Sequence, residues 1–347
     1  MNDAVQALDL AALGRYLAEH LEGFRGSLAA TKYSGGQSNP TFLLQAGNRR
    51  YVLRRQPPGE LLKSAHAVDR EFRVMRALAQ TAVPVPKVLH LCEDRGVIGS
   101  LFYVMEHVEG RIFWYPALPE LSAETRGPIF DRMNETLAAL HSVDPAAVDL
   151  ADFGRPGNYF ARQLGRWTQQ YRASETARIG AMEEVIPWLE RHLPPDDGRV
   201  AIVHGDYRLD NMIWAPDAPR ILAVIDWELS TLGHPFADLA YQCMQWRLPN
   251  AGVFRGLGEL DRRANGIPTE EDYISAYCRR TGVSGIDNWP FYLAFCFFRM
   301  AAILQGVLKR ALDGNASNPE RGLKMGEAVP LLARLAADIV ESQEPTG

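Results

Sequence analysis

The chain lacks the compositional biases that mark several large classes of protein. Its formal net charge is −5, from 37 Lys and Arg against 42 Asp and Glu, so it has no excess of the basic residues that nucleic-acid binders usually carry. Its four cysteines form no Cys-x-x-Cys pair, which predicts buried, reduced thiols and a cytoplasmic protein rather than a disulfide framework. The sequence also contains no internal repeat or low-complexity tract.

Membrane and targeting signals are not expected either. We find no apolar run that approaches the length of a membrane span, and the first residues, with Asp3 and Asp9, lack the basic-then-apolar pattern of a signal peptide. What is present is ordinary for a globular enzyme: 347 residues, 47% of them hydrophobic and 23% charged. That length allows one large domain or two lobes with ample cores.

The most informative stretch runs from Ile202 to Asp238. It contains IVHGDYRLDNMIW, then AVIDWE, and then GHPFADLA, so that polar side chains follow two short apolar runs. An Asp, an Asn five residues later and an Asp after the next strand suit phosphoryl transfer from Mg-ATP. One carboxylate accepts the proton of an alcohol, while the amide and the second carboxylate hold Mg²⁺. We therefore predict Asp206 as the catalytic base and Asn211 and Asp226 as metal ligands.

The neighbours of these three residues allow more than one interpretation. His204 is predicted to pack and to hydrogen-bond the loop, and Asp210 to cap it. Arg208 places a charge near the transferred phosphoryl group and is predicted to assist catalysis. Asp238 precedes an apolar run and is predicted as a helix N-cap. Glu228, two residues after Asp226, is either a group beside the metal or a substrate contact.

These motifs resemble a known family. HGDYRLDN resembles the catalytic loop of the aminoglycoside phosphotransferase and choline kinase superfamily, and IDWE resembles its metal-binding strand. The resemblance extends from about Thr31 to about Leu332. The signatures GGQSN, YVLRR and VIDWELSTLGHP are similar to the kinase-like domains that some animal proteins carry fused to acyl-CoA dehydrogenases. The resemblance implies a bilobal, protein-kinase-like α+β fold, with a small antiparallel β-rich N-lobe and a large, mainly helical C-lobe. It also implies that Asp238 anchors the backbone of the catalytic loop.

The hydrophobic pattern agrees with that architecture. An amphipathic N-terminal helix is followed by a predicted hairpin, a helix and two further strands: Thr41–Gln45, Arg50–Arg54, Leu61–Ala79, Val88–Cys92 and Leu101–Val108. Helical patterns then dominate: Ser122–His141, Tyr159–Tyr171, Ala181–Arg191, Glu270–Thr281, Trp289–Leu312 and Gly322–Glu341. The predicted division is 1–106 for the N-lobe and 107–347 for the C-lobe.

The N-lobe is expected to hold ATP. A glycine-containing loop precedes the first hairpin strand, and its backbone N–H groups are predicted to approach the phosphates: Gly35, Gly36, Gln37, Ser38 and Asn39. Where the wider kinase fold carries a phosphate-binding Lys, this chain has Arg54, which keeps the charge with a different geometry. Glu71 is the predicted ion-pair partner of Arg54. Backbone groups at Glu106 and Val108 are predicted to bind the adenine edge.

The acceptor is the least constrained part of the prediction. The aromatic residues between Trp289 and Phe298 are expected to be mainly core, with a few lining an apolar pocket that has Arg299 at its edge. Such a pocket suits a hydroxylated acyl chain or a hydroxy acid better than an amino-sugar. The resemblance to domains fused with acyl-CoA dehydrogenases implies the same class of acceptor, with a hydroxyacyl-CoA as one form of it. The alternatives are an aminoglycoside-type antibiotic kinase and a nucleotide-binding pseudokinase with a regulatory role. The predicted partners are therefore ATP, Mg²⁺ and a small hydroxylated substrate, with neither nucleic acid nor membrane expected.

Overall fold

The computed structural model describes residues 8–33, 39–57, 66–315 and 318–343. Within these residues the chain forms nine strands: β1 Leu28–Lys32, β2 Thr41–Ala46, β3 Arg49–Arg55, β4 Val88–Cys92, β5 Phe102–Glu106, β6 Ala201–Val203, β7 Met212–Trp214, β8 Ile221–Val224 and β9 Thr231–Gly233. The same residues form ten α-helices: α1 Leu10–His20, α2 Val68–Leu78, α3 Ala123–His141, α4 Tyr159–Ser174, α5 Gly180–Arg191, α6 Phe236–Cys243, α7 Glu270–Thr281, α8 Trp289–Leu312, α9 Pro319–Gly326 and α10 Val329–Glu341.

These elements belong to two compact units. The first contains the chain up to Ile112 together with residues 148–150 and 211–230, and the second contains the rest. The first unit thus extends past the predicted N-lobe and takes in the β7–β8 hairpin. Two backbone contacts explain this: Arg111 N–H donates to the Trp214 carbonyl at 2.9 Å, and Val224 N–H donates to the Pro84 carbonyl at 2.8 Å.

The first unit is built on a five-stranded antiparallel sheet in the order β1-β2-β3-β5-β4. The β2–β3 hairpin turns at Gly47 and Asn48, and Gly47 has a φ of +61°, as the predicted turn requires. Alternation along β3 places Leu53 in an apolar cluster with Leu13 and Leu17 of α1. Arg54 therefore lies on the opposite face of the sheet, the face from which it reaches α2.

The second unit is mainly helical and contains the small antiparallel pair of β6 and β9. Its central helix, α8, is long and apolar enough to cross a membrane by length and composition, contrary to our sequence expectation, but 72% of its apolar window is buried. The aromatic residues of α8 are core residues, as predicted: Phe291, Tyr292, Phe295, Phe297 and Phe298 are all buried. Helix α8 packs against α10, α9, α4 and α6, which is the situation of a core helix.

Most predicted elements are present with ends shifted by a few residues. The predicted helix from Gly322 to Glu341 is instead two helices, α9 and α10, because Pro330 begins a new helix rather than continuing the old one. The short strands β1 and β9 were not predicted. The first part of the predicted Leu61–Ala79 helix lies outside the described residues, and its described part is α2.

Candidate active site

Arg54 is the centre of a buried cluster in the first unit. Its Nε lies 3.0 Å from Glu71 Oε2, which confirms the predicted ion pair between β3 and α2. Its Nη2 lies 2.7 Å from Asp226 Oδ1 and 3.3 Å from Glu228 Oε2. One guanidinium thus joins three carboxylates from two distant parts of the sequence, Glu71 on one side and the neighbouring Asp226 and Glu228 on the other. This uses the planar, multi-donor geometry that distinguishes Arg from Lys.

Both carboxylate oxygens of Glu71 accept hydrogen bonds. Tyr103 O–H donates to Oε2 at 3.1 Å, and Asn39 Nδ2 donates to Oε1 at 2.7 Å. The Glu71 side chain is only 1% exposed, and burial raises its pKa to about 7, against the lowering effect of Arg54. The Asn39 side chain thus supports the carboxylate that holds Arg54, and its predicted phosphate contact stays a prediction. The other loop residues of that prediction, Gly35 to Ser38, lie outside the described residues.

Asp226 is presented by an unusual backbone turn. Strand β8 ends at Val224, and Asp226 then has a φ of 67° and a ψ of 60°, a left-handed conformation that few non-glycine residues adopt. The buried Trp227 closes the turn, since its indole N–H donates to the Val224 carbonyl at 2.9 Å. Asp226 and Glu228 therefore both reach Arg54 from this turn, beyond the end of the strand.

Asn211 and the adenine-binding residues can also be placed. Asn211 is buried at the start of β7, and its carbonyl accepts the Ile225 N–H at 2.9 Å, which ties the two predicted metal-ligand segments together. Glu106 ends β5 and its N–H donates to the Lys87 carbonyl at 2.9 Å. Val108 follows the strand in irregular backbone. The adenine contacts of Glu106 and Val108 stay predictions.

The loop that carries Asp206 lies in the second unit and is held by its backbone. Asp238 accepts the His204 N–H at 2.6 Å and the Gly205 N–H at 2.8 Å. Arg299 Nη2 donates to the Gly205 carbonyl at 3.2 Å. Gly205 itself has a φ of +83°, which a residue with a side chain would rarely adopt. The turn that presents Asp206 is therefore fixed at consecutive peptide groups.

Two of these contacts revise predicted roles. Asp238 anchors the loop, as predicted, but it is not an N-cap: α6 begins at Phe236, with Pro235 in the cap position. Burial alone raises the pKa of the Asp238 carboxyl, but His141, His204 and the Gly205 N–H together hold that pKa below its usual value. Arg299 is buried and donates to the Gly205 carbonyl, a contact with the loop that the sequence did not predict, while its predicted place at the edge of a substrate pocket stays a prediction.

The side chains of the loop form a compact polar group. His204 is fully buried, and its Nδ1 accepts the Asp206 N–H at 3.2 Å, the structural role predicted for it. Asp206 Oδ1 accepts a hydrogen bond from Tyr241 O–H at 2.5 Å and lies 3.3 Å from Arg208 Nε. Arg208 Nη2 lies 3.3 Å from Asp210 Oδ2. Arg208 and Asp210 are thus paired with each other within the loop.

A cavity of about 830 Å³ opens beside this loop in the second unit. Its wall includes Arg208, Asp210 and Tyr241 from the loop and α6, and these are joined by exposed aromatic and basic side chains from distant segments: Trp114, Tyr115, Arg255, Arg321 and Lys324. The guanidinium of Arg255 lies 4.5 Å from the centre of the Tyr115 ring. Sequence reasoning did not find this cavity, because its wall combines segments with no shared motif.

Among the described residues, no group of three or more His, Cys, Asp or Glu side chains is arranged to hold a metal ion by itself. Mg²⁺ in nucleotide sites usually keeps several waters and binds one or two carboxylates plus the phosphates. Asp226 and Asn211 offer the hard oxygen donors that such an ion prefers. The residues present therefore fit an Mg²⁺ that is carried largely by a nucleotide.

A family model described as the phosphotransferase enzyme family matches residues 29–268. The chain belongs to this family. Its sequence is 48% identical over 333 residues to acyl-CoA dehydrogenase family member 10 of Mus musculus, which covers 94% of this chain and 31% of that protein. The chain therefore spans about a third of the length of this relative.

Solved structures of the family have the same fold. A Ralstonia eutropha protein, provisionally described as an aminoglycoside phosphotransferase, is 47% identical with a TM-score of 0.89, over 98% of this chain and 100% of that one. A thermostable mutant of aminoglycoside phosphotransferase APH(4)-Ia, solved with ADP and hygromycin B, is 17% identical with a TM-score of 0.63, over 96% of this chain and 100% of that one. The predicted family and kinase-like fold are confirmed.

Proposed function

We propose that this protein transfers the γ-phosphoryl group of ATP to a hydroxyl group of a small molecule. The small molecule would bind in the cavity beside the Asp206 loop, which we call the acceptor cavity. One observation carries the proposal: the Asp206 carboxylate contacts Tyr241 and Arg208, and both of these residues line the cavity. A carboxylate held by two residues of the cavity wall lies beside the cavity, where it can accept a proton from a bound alcohol.

The reaction is a single displacement at phosphorus. The acceptor hydroxyl oxygen forms a bond to the γ-phosphorus, and its proton passes to Asp206. The bond between the γ-phosphorus and the bridging oxygen breaks, and ADP leaves with that electron pair. Arg208, which lies beside Asp206 on the cavity wall, adds positive charge where negative charge develops on the transferred group.

ATP binding is assigned to the first unit. Arg54 would contact the phosphates, with Glu71 holding it, and Asp226 and Asn211 would hold Mg²⁺ on the nucleotide. When bound, the ion would neutralise part of the phosphate charge. The described complex of APH(4)-Ia with ADP supports nucleotide binding by this fold. The ion pair between Asp226 and Arg54 supports this assignment, because it brings the proposed metal ligand next to the proposed phosphate-binding cation.

The cavity wall favours a negatively charged acceptor. It contains four basic side chains, Arg208, Arg255, Arg321 and Lys324, and one acidic side chain, Asp210. Aminoglycosides are polycations, and such a wall would repel them. A hydroxy acid or a hydroxyacyl-CoA brings carboxylate or phosphate groups that basic side chains bind well. We therefore favour an acceptor of this class over an amino-sugar.

The proposal can be tested by ADP release from Mg-ATP with a panel of hydroxy acids, hydroxyacyl-CoAs and kanamycin. We expect stimulation by an anionic acceptor and none by kanamycin. Asp206→Asn should lower kcat by about 10²–10⁴-fold, the usual contribution of a general base. Asp131→Asn is a matched control, because Asp131 is an acid of α3 whose partner is Arg280 at 2.7 Å. Normal turnover by Asp206→Asn, or a preference for kanamycin, would contradict the proposal.

A further inference from the structure

Tyr241 has a contact that the proposed reaction does not yet explain. It lies on α6, it is 9% exposed, and its hydroxyl donates to Asp206 Oδ1 at 2.5 Å. That distance is at the short end for a hydrogen bond from a hydroxyl to a carboxylate, the range in which charge-assisted bonds fall. Tyr241 also lines the acceptor cavity. The sequence analysis assigned this residue no role.

The position of Tyr241 on its helix relates it to the loop anchor. Asp238 and Tyr241 are three residues apart on α6, so they lie on the same helix face. Asp238 binds the backbone N–H groups of His204 and Gly205. Tyr241 binds the side chain of the next residue, Asp206. One face of α6 therefore holds both the backbone of the loop and the orientation of its carboxylate.

The chemistry of the phenol suits this role. Burial raises the pKa of Tyr241 well above its ordinary value, and the nearby Asp206 raises it further, so the hydroxyl keeps its proton and acts as a donor. A free Asp side chain rotates about two torsions, and each hydrogen bond removes part of that freedom. Arg208 Nε, 3.3 Å from the same oxygen, is the longer contact of the two. The phenol is therefore the stronger restraint on the carboxylate.

We propose that Tyr241, a residue of the acceptor cavity wall, is a positioning residue of the phosphotransfer reaction and orients the Asp206 carboxylate beside that cavity. The inference rests on the proposed function, because it assumes that Asp206 accepts the proton of the acceptor. Tyr241 does not itself take up that proton. It fixes the direction from which the carboxylate meets a hydroxyl in the cavity, and small errors in that direction are costly to the rate.

Tyr241→Phe tests this with the least change, since it keeps the ring and removes one oxygen. We measure kcat for ADP release from Mg-ATP with 3-hydroxybutyryl-CoA as the acceptor, and again without an added acceptor, when water takes the phosphoryl group. We expect kcat to fall by about tenfold or more in both cases. The KM for ATP should stay within about twofold, because nothing in the phosphate-binding cluster changes. Tyr16→Phe is the control: it also removes one tyrosine hydrogen bond, to His90 at 2.9 Å, in the first unit.

A double change separates positioning from packing. In the Asp206→Asn background, Tyr241→Phe should cause little further loss of kcat, because the two residues act as a unit. A purely structural tyrosine would cause the same loss in both backgrounds. Melting temperatures give a measure that needs no turnover. Tyr241→Phe should lower the melting temperature of the wild type and leave that of Asp206→Ala unchanged, where the phenol has lost its acceptor.

The outcomes of these experiments are distinguishable. Wild-type kcat for Tyr241→Phe, or fully additive losses in both cycles, would overturn the positioning role while leaving the proposed function intact. Normal turnover by Asp206→Asn, or no ADP release by the wild type, would overturn the proposed function itself. A rise in the KM for ATP with unchanged kcat would also overturn the inference, because it would place Tyr241 in nucleotide binding.

Discussion

The Arg54 cluster of the first unit and the Asp206 loop of the second unit are each stabilised by a different kind of interaction. In the first unit, Arg54 is fixed by charge, through side-chain contacts with Glu71, Asp226 and Glu228. In the second unit, the Asp206 loop is fixed mainly through its backbone, by Asp238 and Arg299. An ion-paired cluster can exchange partners when a charged ligand arrives, whereas a bonded backbone keeps its shape. The difference suits the proposed roles of the two residues: Arg54 would exchange partners when the phosphates bind, whereas Asp206 would stay in place as the base.

Removing the loop anchor should have the largest effect on stability. Asp238→Ala leaves the His204 and Gly205 N–H groups buried without an acceptor, and each such loss costs about 1–3 kcal/mol. We expect the free energy of unfolding, measured by urea titration, to fall by about 3 kcal/mol or more. Asp261→Ala is the control, since Asp261 accepts one exposed backbone N–H, from Ala264 at 3.0 Å. Equal losses in the two variants would contradict the anchoring role.

The same anchor gives a pH dependence with a defined sign. The pKa of Asp238 is lowered in the folded protein, so the carboxylate contributes stability that is present above its unfolded pKa of about 4. That contribution is lost as the pH falls through the lower, folded pKa. The difference in unfolding free energy between wild type and Asp238→Ala should therefore be full at neutral pH and should narrow in acid. A difference that grows in acid would contradict this assignment.

Changes in the Arg54 cluster should have the next largest effect, on the use of ATP. Arg54→Ala should lower kcat/KM for ATP by about ten- to a hundredfold, the loss expected for about 1.5–3 kcal/mol of charge-assisted contact. Arg54→Lys should lose less, because it keeps the charge but not the planar fork. Arg55→Ala is the matched control: Arg55 is the next residue of β3, it lies over the Phe42 ring, and it faces the α1 side of the sheet. An equal loss in Arg55→Ala would show that Arg54 is not the phosphate-binding cation.

A smaller effect should come from the partner of Arg54. Glu71→Gln keeps the hydrogen-bonding shape but removes the charge, so it should raise the KM for ATP by less than Arg54→Ala does. Combined with Arg54→Ala, the change should be less than additive, because the two residues form one unit. Asp69→Asn, in the first turn of α2, serves as the control. Additive losses would mean that Glu71 acts independently of Arg54.

The comparison also explains what could be predicted from the sequence. The candidate residues of the loop and Asp226 stand in one short motif, and Arg54 and Glu71 lie in a strand and the helix after it, so local patterns were enough to nominate them and to predict the Arg54–Glu71 ion pair. The same patterns located most helices and strands. They placed the end of the first unit too early, because the β7–β8 hairpin joins it through contacts that are distant in sequence.

What the sequence missed depends on long-range packing. Tyr241 meets Asp206 only because α6 folds back onto the loop, and no spacing rule links these positions. The basic wall of the acceptor cavity combines Arg255, Arg321 and Lys324 from separate segments. The sequence also did not predict that the Arg299 guanidinium donates to the Gly205 carbonyl, because these residues are far apart in the chain.

Nucleotide binding that depends on Mg²⁺ and Asp226 is the central claim, and it can be measured without knowing the acceptor. The measurement is the melting temperature of the wild type and of Asp226→Ala, each with and without ATP, in Mg²⁺ and in EDTA. A ligand that binds only the folded state raises stability by about 2.7 kcal/mol at a hundred times its Kd. We predict a rise with Mg-ATP in the wild type that is lost in EDTA and in Asp226→Ala. The same rise in Asp226→Ala, or none in the wild type, would contradict the account.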